Sequence, residues 1–287
     1  MWDEGAKSMT SVMSVGLARS FLFVPGDRSD RFEKARNSGA DFVICDLEDA
    51  VAPNAKNFAR QLVCDWLGSD GVAVVRINSV ETPWFESDYS ELVDLPGLAG
   101  IMIPKAEDPA EIARLAALLG GRVPIIALIE TAVGIRLAFE ISRLPGVARL
   151  AFGAIDFALD IECSDDDRSL LLASSSLVLN SRAAGLPAPI AGVTTILDNP
   201  STIRSESLMA RSLGYGAKLC IHPKQVSIVN NTFSPSEEEV TQAKRVLENS
   251  SSGVSVVDGH MVDKPILIRA ERTLQRAALF PKSLNRE

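Results

Sequence analysis

Pro124-Ile-Ile-Ala-Leu-Ile-Glu130 and Val147-Ala-Arg-Leu-Ala-Phe-Gly-Ala-Ile-Asp156 are two apolar runs that each lead to an acidic residue. Short runs of this kind read as parallel strands covered on both faces by helices. Consecutive strands of an α/β chain are usually neighbours, so the two carboxylates meet at one rim of the sheet. Two carboxylates on one rim can hold Mg²⁺ and leave positions open for substrate.

The same pattern extends outward in both directions. Strands are predicted at Ser20–Pro25, Asp41–Leu47, Val72–Ile77, Gly100–Ile103, Pro124–Ile129, Arg149–Gly153, Ile190–Val193 and Lys218–Ile221. Amphipathic helices are predicted at Arg31–Ser38, Ala55–Leu67, Pro109–Leu119, Gly134–Leu144, Ser169–Ala184 and Ser201–Leu213. Several strands follow glycine helix stops, such as Gly120-Gly121 and Pro145-Gly146. Eight βα units predict an α/β fold, the (β/α)8 TIM barrel. The alternative is an open doubly wound sheet, which typically carries GxGxxG after its first strand; none is present.

After Pro235 the pattern changes. Ser236-Glu-Glu-Glu239 reads as a capped helix start, with acids where the helix dipole favours them. A Ser/Gly-rich break, an alternating stretch from Val254 and a last helix to about Leu279 follow. The expected organisation is a loosely ordered tail over 1–18, a barrel over 19–234 and a helical and hairpin extension over 235–287. That extension reads as a flap or arm at the active site, of its own or of a neighbouring subunit.

The chain of 287 residues is 46% hydrophobic and 23% charged, an ordinary globular composition. Its net charge of −8 argues against nucleic acid and against a polybasic membrane surface. No apolar run is long enough to span a bilayer. Four scattered cysteines without a CxxC read as reduced thiols of a cytoplasmic protein. With only two histidines and no cysteine cluster, a zinc site is not expected.

In a TIM barrel the active site lies at the C-terminal strand ends. Those ends carry Pro25 to Arg28, Asp46 to Asp49, Arg76 to Asn78, Lys105, Glu130, Asp156, Thr194-Thr195 and His222. A polar residue at a strand end can simply mark where the chain leaves the core. Glu130 and Asp156 go beyond that, because each follows an apolar strand run, broken only by Arg149 in the second. Gly153 lets the backbone come close to a bound group, and Gly153 with Ala154 is the candidate substrate-binding turn. Arg76 ends the run Val72-Ala-Val-Val-Arg76, so its guanidinium needs an anion, from protein or substrate; a substrate carboxylate is the favoured reading. Glu48, between Asp46 and Asp49, reads equally as a catalytic acid or as one of a cluster at a helix start.

Seven motifs carry a resemblance. They are Phe21-Leu-Phe-Val-Pro-Gly26, Asp46-Leu-Glu-Asp-Ala-Val51, Val75-Arg-Ile-Asn78, Ile103-Pro-Lys105, Leu128-Ile-Glu-Thr-Ala-Val-Gly134, Gly153-Ala-Ile-Asp-Phe157 and Ile221-His-Pro223. In this order they resemble the citrate lyase beta subunit-like proteins of the HpcH/HpaI aldolase and citrate lyase superfamily, relatives of the malyl-CoA lyases. The resemblance spans about residues 19–270. It implies a TIM barrel that cleaves or forms a carbon–carbon bond in a 3-hydroxyacyl-CoA such as citryl- or malyl-CoA. It implies Mg²⁺ on Glu130 and Asp156 and a carboxylate on Arg76. It implies contacts to coenzyme A from Pro25, Arg28, Arg31, Lys105 and His222. It also implies a catalytic aspartate from the C-terminal flap, matched by Asp263, and a homotrimer or hexamer. The chain departs from the family pattern at Ile155, where an acid is usual, and at Asp160-Ile-Glu162, where Asp-Leu-Gly is usual.

Asp263 and Glu48 are candidates for the proton transfers, and Glu48 equally for orienting metal-bound water. Two other readings stay open. One is a metal-dependent aldolase on a CoA-free hydroxy-oxo acid. The other is a non-catalytic acyl-CoA-binding subunit of a larger lyase complex.

Overall fold

Each predicted strand run forms a strand, and the ladder closes on itself. The computed structural model describes residues 15–248, 255–257 and 260–280. The strands are β1 (Ser20–Pro25), β2 (Phe42–Asp46), β3 (Ala73–Arg76), β4 (Leu98–Ile103), β5 (Ile125–Ile129), β6 (Val147–Phe152), β7 (Ile190–Ala191) and β8 (Ala217–Cys220). They pair in parallel in chain order, and β8 returns to β1. Every strand sends a residue into the interior cluster, from Phe21 and Ile44 through Val74, Met102, Ile126, Ala151 and Ile190 to Ala217. Alternate side chains point outward to the helices, as the two-residue period of a strand requires. This is a TIM barrel.

The helices are α1 (Phe32–Arg36), α2 (Lys56–Gly68), α3 (Phe85–Leu92), α4 (Pro109–Leu118), α5 (Ala132–Ser142), α6 (Ala154–Asp160), α7 (Asp167–Ala183), α8 (Pro200–Leu213) and α9 (Pro223–Phe233). Three of them, α3, α6 and α9, are absent from the sequence-based expectation. In α3 the buried face carries Phe85, Asp88 and Leu92, so an acid occupies a core position and hides the apolar period. Asp88 is fully buried because it accepts from both the backbone and side-chain nitrogens of Asn78 and pairs with Arg60. Strand β7 stops two residues short of the expected Val193. The Gly192 carbonyl is taken by Lys218 Nζ at 2.8 Å instead of by a strand partner.

The floor of the barrel is sealed by Arg149, which is fully buried. Its Nε donates to the Ala188 carbonyl at 2.7 Å, and its Nη1 donates to the carbonyls of Val15 and Ala18 at 3.0 and 2.8 Å. Val15 and Ala18, placed in the expected loose tail, belong instead to the core cluster. Met1–Ser14 lie outside the described residues. Arg149→Leu leaves these carbonyls without a donor, and we expect a loss of about 2–4 kcal/mol, measured as a lower urea midpoint.

The chain divides into two compact units, Met1–Val229 and Asn230–Glu287. In the second, α10 (Glu237–Glu248) and α11 (Lys264–Leu279) pack through Ala243, Val246 and Ala270, with Val262 beside them. Strands β9 (Ser255–Val257) and β10 (His260–Val262) form an antiparallel pair. The expected helix start is a capping box. Glu239 N–H donates to Ser236 Oγ, and Ser236 N–H donates to Glu239 Oε2. Among the described residues no helix is long and apolar enough to cross a membrane.

Candidate active site

The C-terminal ends of the strands surround a cavity of about 410 Å³. Arg76, Glu130, Gly153, Ala154 and Asp156 line it, together with Pro25, Asp46, Asp49, Phe23 and Ile155. Strand β5 is buried along its whole length and delivers Glu130 to this mouth at 3% exposure. Asp156 stands in the first turn of α6, four residues past the end of β6. Gly153 makes the approach possible. A Cβ at that position would lie 2.5 Å from Glu130 Oε2 and 2.6 Å from Glu130 Cβ.

Glu130 Oε1 accepts the Lys105 backbone N–H at 2.7 Å. Lys105 takes a left-handed conformation, φ 46°, to present that amide. Burial pushes the Glu130 carboxyl up to about 8; the Lys105 amide opposes this, and the charges of Glu48 and Asp156 add to it. Burial also pushes Glu48 up to about 7, against the pull of Arg76. Glu48 Oε2 is buried 2.9 Å from Arg76 Nη1 but out of line for a hydrogen bond, so it makes an ion pair only. Buried acids that favour their neutral form are relieved by a cation. Two carboxylates suit Mg²⁺, which keeps several waters, and do not suit zinc. Among the described residues no group of three or more His, Cys, Asp and Glu side chains is placed to hold a metal. Gly153→Ala drives a methyl into Glu130, and we expect Mg²⁺ affinity to fall at least tenfold by calorimetric titration.

The reading of Arg76 is corrected. Its Nε and Nη2 donate to Asp46 Oδ1 and Oδ2 at 2.8 and 2.6 Å, so the fork is filled by protein rather than open to a substrate carboxylate. The β2–β3 register sets Asp46 beside Arg76, and a buried guanidinium pairs with the nearest anion. Nη1 faces Glu48 and lies 3.6 Å from Asp49. Asp46 also accepts the backbone N–H groups of Glu48 and Ala50. Lys56 Nζ donates to the carbonyls of Leu47 and Glu48 at 2.8 and 2.7 Å. Asp46 and Lys56 thus fix the loop that carries Glu48. Sequence reading named neither as functional; the signal was a strand-end Asp two positions before Glu48.

Of the five residues expected at coenzyme A, Pro25 alone lines the central cavity. Arg28 is paired with Asp30 through two 2.9 Å hydrogen bonds, and Arg31 is exposed at the end of a short 3-10 turn. Lys105 lines a neighbouring cleft with Ser79, Glu81 and Glu107. His222 Nδ1 accepts the Lys224 N–H, and Gln225 ties the loop down by accepting the backbone N–H groups of Ile221 and His222. Asp263 lies in the second unit, where its Oδ1 caps α11 by accepting the Ile266 N–H at 3.3 Å. The cysteines are free thiols. Cys45 and Cys220 are buried within β2 and β8, and burial raises both thiols.

A closed parallel barrel with two carboxylates and a buried arginine at its mouth defines a TIM-barrel protein with an acidic C-terminal rim. The chain belongs to the HpcH/HpaI aldolase/citrate lyase family, whose model matches residues 19–223. A second model, for a C–C bond lyase of the TIM-barrel fold, matches residues 176–281. A citrate lyase subunit beta-like protein of Deinococcus radiodurans is 36% identical over 91% of this chain and 98% of its own. A (3S)-malyl-CoA thioesterase of Cereibacter sphaeroides is 34% identical over 90% of this chain and 94% of its own. Among solved structures, CitE of Mycobacterium tuberculosis in complex with magnesium, acetoacetate and coenzyme A superposes with a TM-score of 0.79. It is 32% identical and covers 91% of this chain and 98% of that one.

Proposed function

We propose that this protein is a Mg²⁺-dependent carbon–carbon lyase that splits a 3-hydroxyacyl-CoA of the malyl or citryl type into an oxo acid and acetyl-CoA. The observation that carries the reading is the buried Glu130 carboxyl packed against Gly153, with Asp156 lining the same cavity. The CitE relative that binds magnesium, acetoacetate and coenzyme A supports it.

Glu130 and Asp156 would hold the cation, which when bound polarises the oxygen that becomes the oxo group. Glu48 is the acid–base group on the barrel side. Burial has moved it to about 7, where it can both hold and accept a proton at neutral pH. Arg76 keeps Glu48 in place through Nη1 while Asp46 keeps Arg76 in place. Gly153 and Ala154 shape the wall against which the oxo-acid half lies. Coenzyme A would enter from the β1 and β8 side, past Pro25, with Arg28, Arg31, Lys105 and His222 around it. Asp263 supplies the second proton transfer, from a neighbouring subunit of a homotrimer or hexamer. Asp263→Asn should leave oxo-acid binding intact and lower turnover about 100-fold. Unchanged turnover removes Asp263 from the mechanism.

A second reading follows from the relative named (3S)-malyl-CoA thioesterase: the same site hydrolyses the thioester. One assay separates the two. Purified protein with Mg²⁺ and citryl-, malyl-, citramalyl- or methylmalyl-CoA should release oxo acid and acetyl-CoA. Free coenzyme A thiol without oxo acid would replace the lyase reading with the thioesterase one. No reaction with any ester, alongside turnover of a free hydroxy-oxo acid, would favour the CoA-free aldolase.

A further inference from the structure

The barrel ladder reaches the mouth unevenly. Strands β1 and β2 stay paired as far as Pro25 and Asp46, and β5 and β6 as far as Ile129 and Phe152. Between β7 and β8 the last pair is Ala191 with Lys218. Yet Val193, Leu219 and Ile221, which lie beyond that pair, line the central cavity. Side chains take the place of the missing ladder. Gln225, at 1% exposure in the first turn of α9, spans the gap. Its Oε1 accepts the backbone N–H groups of Ile221 and His222 at 2.9 and 3.3 Å. Its Nε2 donates to the Thr194 carbonyl at 2.8 Å. One side-chain amide thus joins the two strand ends as a peptide group would.

Two further contacts hold the β7 side. Thr194 Oγ1 donates to Glu206 of α8. Lys218 Nζ donates to the Gly192 carbonyl at 2.8 Å and lies 3.7 Å from Glu206. A glutamine at the third position of a helix often reaches back to the N–H of the capping residue, and the bonds to Ile221 and His222 alone would be such a cap. Capping does not call for the bond to Thr194, a carbonyl 31 residues upstream. That bond ties the loop of His222 to the segment that carries Val193.

We propose that Gln225 is a positioning residue for the coenzyme A half of the substrate: it holds Ile221 and His222 in the shape that half meets, and has no part at the metal end. The inference rests on the coenzyme A reading above. Glu130 and Asp156 follow β5 and β6, which stay paired to the rim without help from Gln225. Loss of the clamp therefore acts on one half of the site.

Calorimetric titration of the purified protein with Mg²⁺, and then with coenzyme A, tests this. Gln225→Ala frees Ile221 and His222, which the ligand must then order each time it binds, so the Kd for coenzyme A should rise about tenfold. The Kd for Mg²⁺ should stay within about twofold of the parent's. Gln225→Glu is the conservative variant, and it carries the test should the alanine variant not fold. A neutral carboxyl donates and accepts as the amide does, whereas a carboxylate cannot donate to Thr194. The charged groups around the position are Glu206 facing Lys218, His222, and Lys224 paired with Asp198. Burial raises a carboxyl introduced there, so the glutamate variant should match the parent at about pH 6 and bind coenzyme A more weakly than the parent at about pH 9. Unchanged coenzyme A affinity in Gln225→Ala, or a loss shared equally by Mg²⁺, overturns the inference and leaves the coenzyme A reading standing. So does a glutamate variant whose ratio to the parent is the same at both pH values. Failure of the parent to bind coenzyme A overturns both.

Discussion

Replacing Glu130 by Gln lowers Mg²⁺-dependent turnover roughly 1000-fold and, in the same protein, makes the metal-free fold more stable at pH 8. The two effects share one cause. Burial lifts the Glu130 carboxyl from 4.5 to about 8. The unfolded chain therefore loses this proton first as pH rises, while the folded protein keeps it. The stabilisation from the neutral acid is complete below about 4.5 and is lost progressively as pH rises through about 8. Between pH 6 and pH 8 the metal-free parent should lose about 2–3 kcal/mol, a fall in Tm of roughly 5–10 °C. Gln carries no charge to bury, so the variant should keep only the shallower pH dependence that Glu48, pushed up to about 7, still contributes. Its amide oxygen still accepts the Lys105 N–H, so the rim should keep its shape. Mg²⁺ should raise the Tm of the parent more at pH 8 than at pH 6 and leave the variant unmoved. Identical pH profiles, or retained Mg²⁺-dependent activity, would refute Glu130 as the buried metal ligand.

Asp46→Ala should be the most damaging single change on the rim. It removes the partner of a guanidinium at 9% exposure and the acceptor for two backbone N–H groups of the Glu48 loop. A buried charge that loses its partner costs about 3–5 kcal/mol, or a Tm lower by roughly 10 °C or more. Arg76 then has Glu48 as its nearest anion, which should hold Glu48 ionised and move the acidic limb of the pH–rate profile downward. A Tm within about 2 °C of the parent would mean that the Asp46–Arg76 pair does not hold the rim.

The barrel was legible because each strand is an apolar run closed by a turn signal, and because the runs alternate with helical periods. Where legibility failed, a polar residue had taken a core position, as Asp88 does on α3. The carboxylate pair was legible for the same reason as the strands. An acid that closes an apolar strand run, as Glu130 does, or follows it within one turn, as Asp156 does, has only the rim to occupy. The partner of Arg76 was not, since it depends on the β2–β3 register, and register is a property of two strands together. Nor did the sequence reveal that Lys105 would serve Glu130 through its backbone amide. That role requires a positive φ in a residue whose side chain says nothing about it.

Arg149 gives the molecule a timetable. Its acceptors lie 134 and 131 residues upstream and 39 residues downstream. During synthesis Glu130 and Asp156 are both encoded before the guanidinium of Arg149 can reach Ala188. Without β7 and β8, β1 and β6 each lack a strand neighbour of the closed barrel. Closure joins the first residues of the fold to some of its last, the kind of long-range event that is slow and exposed to misassociation. The most vulnerable moment of this protein therefore falls on the ribosome, after Glu130 and Asp156 exist and before its floor does.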